Sequence, residues 1–124
     1  MARKTAIAPV RRVSALEEAL WLHLRATGLS AACTRNDSHW AKERGRKLEF
    51  DFYWQDQRLA VEVEGGLFMK RGGHNSLSGI TRDIEKGNLA AELGITLLRF
   101  TREMIQSGEA IKVIERMWKA RAQS

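Results

Sequence analysis

The chain has 124 residues, with 21 Lys and Arg against 15 Asp and Glu, for a formal net charge of +6. That length suits one domain with a real core, and the single cysteine, Cys33, excludes an internal disulfide and a cysteine-built zinc site, as expected in a reducing cytoplasm. Residues 1–13 are basic but lack an apolar stretch, and no apolar run approaches the roughly 18 residues of a membrane span, so neither a signal peptide nor a membrane anchor is expected.

Residues 1–13 read as a basic N-terminal arm, either a contact to phosphates or a frayed terminus. The rest, 14–124, reads as one domain. A helix is expected over residues 14–27, ended by Gly28, with Leu16, Leu20, Leu24 and Thr27 as its buried stripe. Glu17 lies at the border of that stripe and has two readings. With Ser14 it forms a capping box, or its carboxylate reaches a metal from the packed helix. His23 is expected to be packed.

Residues 29–47 carry a weaker pattern. A short strand is expected near residues 31–35, then a helical turn from Asp37 through Trp40 and Lys42. The basic run that follows, Lys42, Arg44, Arg46 and Lys47, either lines a DNA groove with Trp40 as an anchor or is a solvated turn.

Residues 48–66 are the organising stretch. Phe50, Phe52 and Trp54 alternate with Glu49, Asp51 and Tyr53; after the turn at residues 55–58, Leu59, Val61 and Val63 alternate with Ala60, Glu62 and Glu64. Period two predicts a hairpin whose strands each have one apolar and one acidic face. Matching the apolar faces sets Phe52 opposite Val61, Phe50 opposite Val63 and Trp54 opposite Leu59. Asp51 then meets Glu62, and Glu49 meets Glu64. Like charges so opposed are destabilising, which points to a divalent cation: hard Mg²⁺ takes carboxylate, water and phosphate oxygens. A merely solvated acidic face is the bland alternative.

Charge distribution favours the cation. Residues 1–47 hold ten basic and four acidic side chains, residues 48–69 one and five, and residues 70–124 ten and six. Basic surroundings attract a polyanion while an acidic island holds ions. A plain nucleic-acid binder has no use for the island.

Residues 65–79 form a glycine-rich basic loop with Lys70, Arg71 and His74, suited to closing over a phosphodiester. His74 is a candidate general base, phosphate contact or metal-proximal group. A helix is expected over residues 82–93, started by Thr81 and stopped by Gly94, with Asp83 in its first turn. Its buried face carries Lys86, Leu89, Ala90 and Leu93. That face brings the Lys86 ammonium within reach of the strand ends, unless it snorkels to solvent. Residues 95–100 read as a buried strand, followed by a turn at 101–104 and a last helix from about residue 107 or 108 to 120. Together these elements predict an α/β fold, a mixed central sheet with helices on both faces, in which the strands at Val63 and Ile95 run parallel.

Phe50-Asp51-Phe52, followed by Val61-Glu62-Val63-Glu64-Gly65, resembles the core of the PD-(D/E)xK nuclease superfamily and, within it, the small very-short-patch-repair-like group. The likeness extends through Leu16-Glu17, Leu20-Trp21, Leu24-Arg25, Arg82-Asp83, Lys86, Gly94 and Leu98-Arg99-Phe100. The segment from Arg71 to Lys86, with His74 and Asn88, is similar to small nucleases of tailed phages and prophages. The resemblance implies a restriction-endonuclease-like core and metal-dependent cleavage of DNA. Asp51 would be the main metal ligand and Glu62 the second, with Mg²⁺ as the ion and Mn²⁺ able to substitute. Glu64 stands where many members carry lysine, and Lys86 on the next helix is the group able to replace it. Glu17 matches the family's first-helix glutamate.

The expected activity is therefore endonucleolytic, with Asp51, Glu62, Glu64, Lys86, Glu17 and His74 as the site and Lys70, Arg71, His74, Arg82, Arg44, Arg46 and Lys47 as DNA contacts. No recognition module is evident, so DNA shape rather than sequence would be read, through phosphates. A structure-selective enzyme of phage DNA metabolism fits, such as a Holliday-junction resolvase acting in the host cytoplasm as a homodimer, whose two sites make two symmetric cuts. A mismatch-nicking or restriction-type endonuclease is the alternative within the enzyme class. A non-catalytic DNA-binding protein retaining the fold, and a structural cation site unrelated to DNA, are the alternatives outside it.

Overall fold

The computed structural model describes residues 14–64 and 77–123. Helix α1 spans Ala15–Ala26, and its first turn is closed as the spacing predicts, Ser14 Oγ accepting the Glu17 N–H at 3.0 Å. Gly28, at φ 81°, reverses the chain, and the Leu29 N–H reaches back to the Leu24 carbonyl at 2.9 Å. Strand β1 covers Thr34–Asp37 rather than starting near residue 31, and a 3₁₀ helix follows over His39–Arg44. Asp37 Oδ1 accepts the His39 N–H at 2.7 Å just ahead of it.

Strands β2 (Phe50–Trp54) and β3 (Leu59–Val63) form the expected hairpin. Phe52 faces Val61 and Trp54 faces Leu59, the register that the apolar pattern demands. Helix α2 (Leu77–Glu92) leads to β4 (Thr96–Phe100), and α3 (Arg102–Gln106) and α4 (Glu109–Ala122) complete the described chain. Among the described residues the sheet has four strands in the order β1-β2-β3-β4, antiparallel except for the β3–β4 pair, which is parallel. The class is mixed α/β.

Two apolar layers cover the sheet. On one face Phe52, Trp54, Leu59 and Val61 pack with Leu16, Leu20 and Leu24 of α1, Ile105 of α3 and Ile114 of α4. On the other, Tyr53 and Ala60 pack with Ala90 of α2 and Ile95. Each large apolar side chain so removed from water contributes about 1.5–3 kcal/mol. Trp54 also satisfies its indole, donating from Nε1 to the Leu29 carbonyl at 2.7 Å. Arg121 of α4 ties the hairpin turn to the end of α2, donating to the carbonyls of Gln57, Arg58 and Gly94.

Four expectations need correction. Phe50 does not share a face with Phe52 and Trp54. It packs in the second layer, stacked on Trp40 with ring centroids 4.0 Å apart and beside Tyr53 at 5.4 Å. The change of face falls beside Asp51, where side-chain carboxylates replace the hairpin's backbone bonds. The second face is consequently not acidic along its length, because α2 covers its middle; acidic groups occupy one end.

Helix α2 starts by Leu77, so Thr81 is not its cap and Asp83 is not in its first turn. Strand β4 is half-buried over Thr96–Arg99, because it is the edge of the sheet.

Candidate functional site

The acidic residues gather where β2 and β3 part. Beyond the Phe52–Val61 pair the hairpin is held by side chains: Asp51 Oδ2 accepts the Val63 N–H at 2.7 Å, and Glu62 Oε2 accepts the Asp51 N–H at 3.1 Å. Both carboxyl groups are thereby fixed by the backbone of the facing strand. From α2, Lys86 Nζ donates to Glu62 Oε1 at 3.0 Å. The Lys86 side chain is 16% exposed and that of Glu62 10%, so the pair sits under α2 rather than in open solvent.

Burial is the main reason the Glu62 carboxyl is pushed up to about 7 from 4.5; the neighbouring Asp51 charge adds to it, and Lys86 opposes it. At Glu62, burial and the Asp51 charge together outweigh the attraction of Lys86. The oxygens that Asp51 and Glu62 offer are of the hard kind that Mg²⁺ and Mn²⁺ prefer.

Glu64 takes a different partner. Arg99 on β4 stands opposite Glu62 in the parallel register, and its Nη1 reaches Glu64 Oε2 at 2.7 Å and the two Asp83 oxygens at 3.3 and 3.4 Å. Burial works against the guanidinium charge, but the hydrogen bond to Glu64 and the Asp83 charge raise the Arg99 pKa on balance. The pair lines an open cleft of about 540 Å³ with Ile84, Gly87, Asn88, Phe100 and Thr101.

The expected gathering of three carboxylates is thus divided, with Asp51 and Glu62 together and Glu64 drawn to Arg99. Among the described residues, no three His, Cys, Asp or Glu side chains are grouped as for a metal ion.

No family model, curated protein or solved structure matches the chain. Its chemistry is therefore read from its own residues.

Glu17 is buried at 9% on α1, across the sheet from α2, with its backbone in the Ser14 cap. Of the expected DNA contacts, Arg44 pairs with Glu92 at 2.9 Å and Arg46 with Glu85 at 2.7 Å, both from exposed positions, so the loop after the 3₁₀ helix is fastened to α2. Arg82 donates to the Lys47 carbonyl, and Lys47 is exposed. Trp40 is half-buried on Phe50, a core contact rather than an exposed anchor. Lys70, Arg71 and His74 lie outside the described residues. No helix among the described residues is long and apolar enough to cross a membrane.

Sequence reasoning missed Arg99 as the partner that Glu64 and Asp83 share. The signal was available in two pieces: parallel pairing of β3 with β4 aligns Arg99 with Glu62, and Asp83 lies one turn before Lys86 on the same helix.

Proposed function

We propose that the chain is a metal-dependent DNA endonuclease, and that its sheet is a restriction-endonuclease-like core. The observation that carries this is the Asp51–Glu62 pair, half-buried and buried respectively, each carboxylate fixed by a backbone N–H of the facing strand, with Lys86 bonded to Glu62. Two such carboxylates on a chain of net charge +6 fit an ion-assisted reaction on a polyanion.

Asp51 and Glu62 would hold the ion, with Glu64 joining them. Bound Mg²⁺ or Mn²⁺ supplies an activated water and charge neutralisation at the leaving oxygen. Hydrolysis joins a water oxygen to phosphorus, breaks one bridging P–O bond, and returns a proton to the departing oxygen. Lys86 is the proton-bearing donor beside this site, and its Nζ serves to steady charge on the phosphoryl oxygens. The Asp51 and Val63 N–H groups fix the two carboxylates in place.

The substrate proposed is branched or otherwise distorted DNA, cut by a homodimer in the cytoplasm. A panel of duplex, mismatched, flap and four-way-junction DNA, incubated with and without Mg²⁺ or Mn²⁺, tests this. Metal-dependent cuts, lost in Asp51→Ala while DNA binding persists, are expected. Wild-type protein that leaves every form intact with both ions refutes the reading.

A further inference from the structure

We propose that Arg99 is a phosphate-binding residue for the DNA strand beside the cut, passed from Glu64 to the substrate when a divalent ion claims Glu64. The inference rests on the nuclease reading and extends it to a subsite that the sequence did not suggest. Its place is the cleft along α2 and the carboxyl ends of the parallel strands β3 and β4, where α/β sheets commonly receive ligands.

Three features of that cleft support the assignment. Arginine presents a planar fork of donors that matches a phosphate, and here its contacts to Glu64 and Asp83 all run through Nη1. Gly87 lies inside helix α2, where glycine is unfavourable. A Cβ built on it would stand 3.8 Å from Arg99 Nη2, an ordinary contact, so packing among the described residues does not require glycine. What the missing side chain provides is an open wall beside the Nη2 edge, with Asn88 as a further polar group.

Charge sets the order of events. One guanidinium between two carboxylates leaves a net negative charge, which repels phosphate. Once Glu64 turns to a cation, Arg99 keeps, among the described residues, Asp83 alone, an exposed carboxylate at 3.3 Å instead of the 2.7 Å contact to Glu64. The guanidinium is then free to exchange one charge-assisted bond for another. DNA and ion would therefore bind together more tightly than either alone.

Salt dependence reads this directly, because each phosphate contact adds about 0.9 to the slope of log affinity against log salt. DNA binding to wild type, Arg99→Ala and Glu64→Gln is measured by fluorescence anisotropy across NaCl concentrations, in Ca²⁺ and in EDTA. Arg99→Ala is expected to lower the slope by about 0.9 in Ca²⁺ and to leave it unchanged in EDTA. Glu64→Gln, which frees Arg99 without an ion and leaves the fold's apolar layers untouched, is expected to raise both affinity and slope in EDTA. A slope that Arg99→Ala leaves unchanged in Ca²⁺, or lowers equally in both conditions, overturns the proposal, as does Glu64→Gln binding like wild type in EDTA. If wild type cleaves DNA and these results still fail, only this subsite falls. If wild type shows no salt-sensitive DNA affinity at all, the nuclease reading falls with it.

Discussion

Glu62→Gln is expected to stabilise the metal-free protein at about pH 8 and to destabilise it at about pH 4.5. The folded state holds the Glu62 proton up to about pH 7, against 4.5 for an ordinary glutamate. Stability from this group is therefore complete below about pH 4.5 and is lost as the pH rises to about 7. At about 1.4 kcal/mol per pH unit, ionising Glu62 in the fold costs about 3–3.5 kcal/mol at most, and the attraction of Lys86 is already included. Glutamine removes that cost and keeps one amide oxygen for the Asp51 N–H, now bonded at 3.1 Å, but its NH₂ cannot accept from Lys86 Nζ as Oε1 does at 3.0 Å, a loss of about 1 kcal/mol. The balance is a gain of about 2 kcal/mol at pH 8 and a loss of about 1 kcal/mol at pH 4.5. Urea unfolding followed by tryptophan fluorescence at both pH values measures it. Added Mn²⁺ should raise the stability of wild type at pH 8 and leave the variant unmoved. A variant less stable than wild type by 1 kcal/mol or more at pH 8 would show that the Lys86 pair outweighs desolvation, and would refute the reasoning.

Phe50 is fully buried between Trp40 and Tyr53, so Phe50→Ala should cost about 3–5 kcal/mol in urea unfolding. A loss below 1 kcal/mol would mean that the second apolar layer is not a core. Gly87→Ala places a Cβ 3.8 Å from Arg99 Nη2 without a clash; thermal melts should show a gain of about 0.5–1 kcal/mol from helix propensity alone.

The hairpin was legible because period-two alternation admits one register in which apolar faces meet, and Phe52–Val61 is that register. Lys86 was legible for a similar reason. Its spacing from Leu89, Ala90 and Leu93 puts it on the covered side of a helix, and it meets Glu62 there. Other features depend on contacts that no local pattern encodes. Phe50 packs in the second layer on Trp40, next to the point where Asp51 and Glu62 bond to backbone N–H groups, and strand periodicity alone does not encode that contact. The start of α2 was hidden by Ser78, Gly79 and Thr81, which read as loop and cap residues yet lie within the helix. Arg44 and Arg46 looked like free basic groups until α2 brought Glu92 and Glu85 beside them. The division of the carboxylates was equally out of reach, since Glu64 is drawn aside by an arginine 35 residues further on.

A crystal grown in Mn²⁺ and examined at a wavelength where manganese scatters anomalously tests the central claim most directly. One anomalous peak, or two adjacent ones, should lie about 2.0–2.2 Å from oxygens of Asp51 and Glu62, with Glu64 swung from Arg99 toward the ion. No peak at that pair, with the Arg99–Glu64 contact intact at high Mn²⁺, would contradict the account and leave the carboxylates a structural feature of a basic α/β domain.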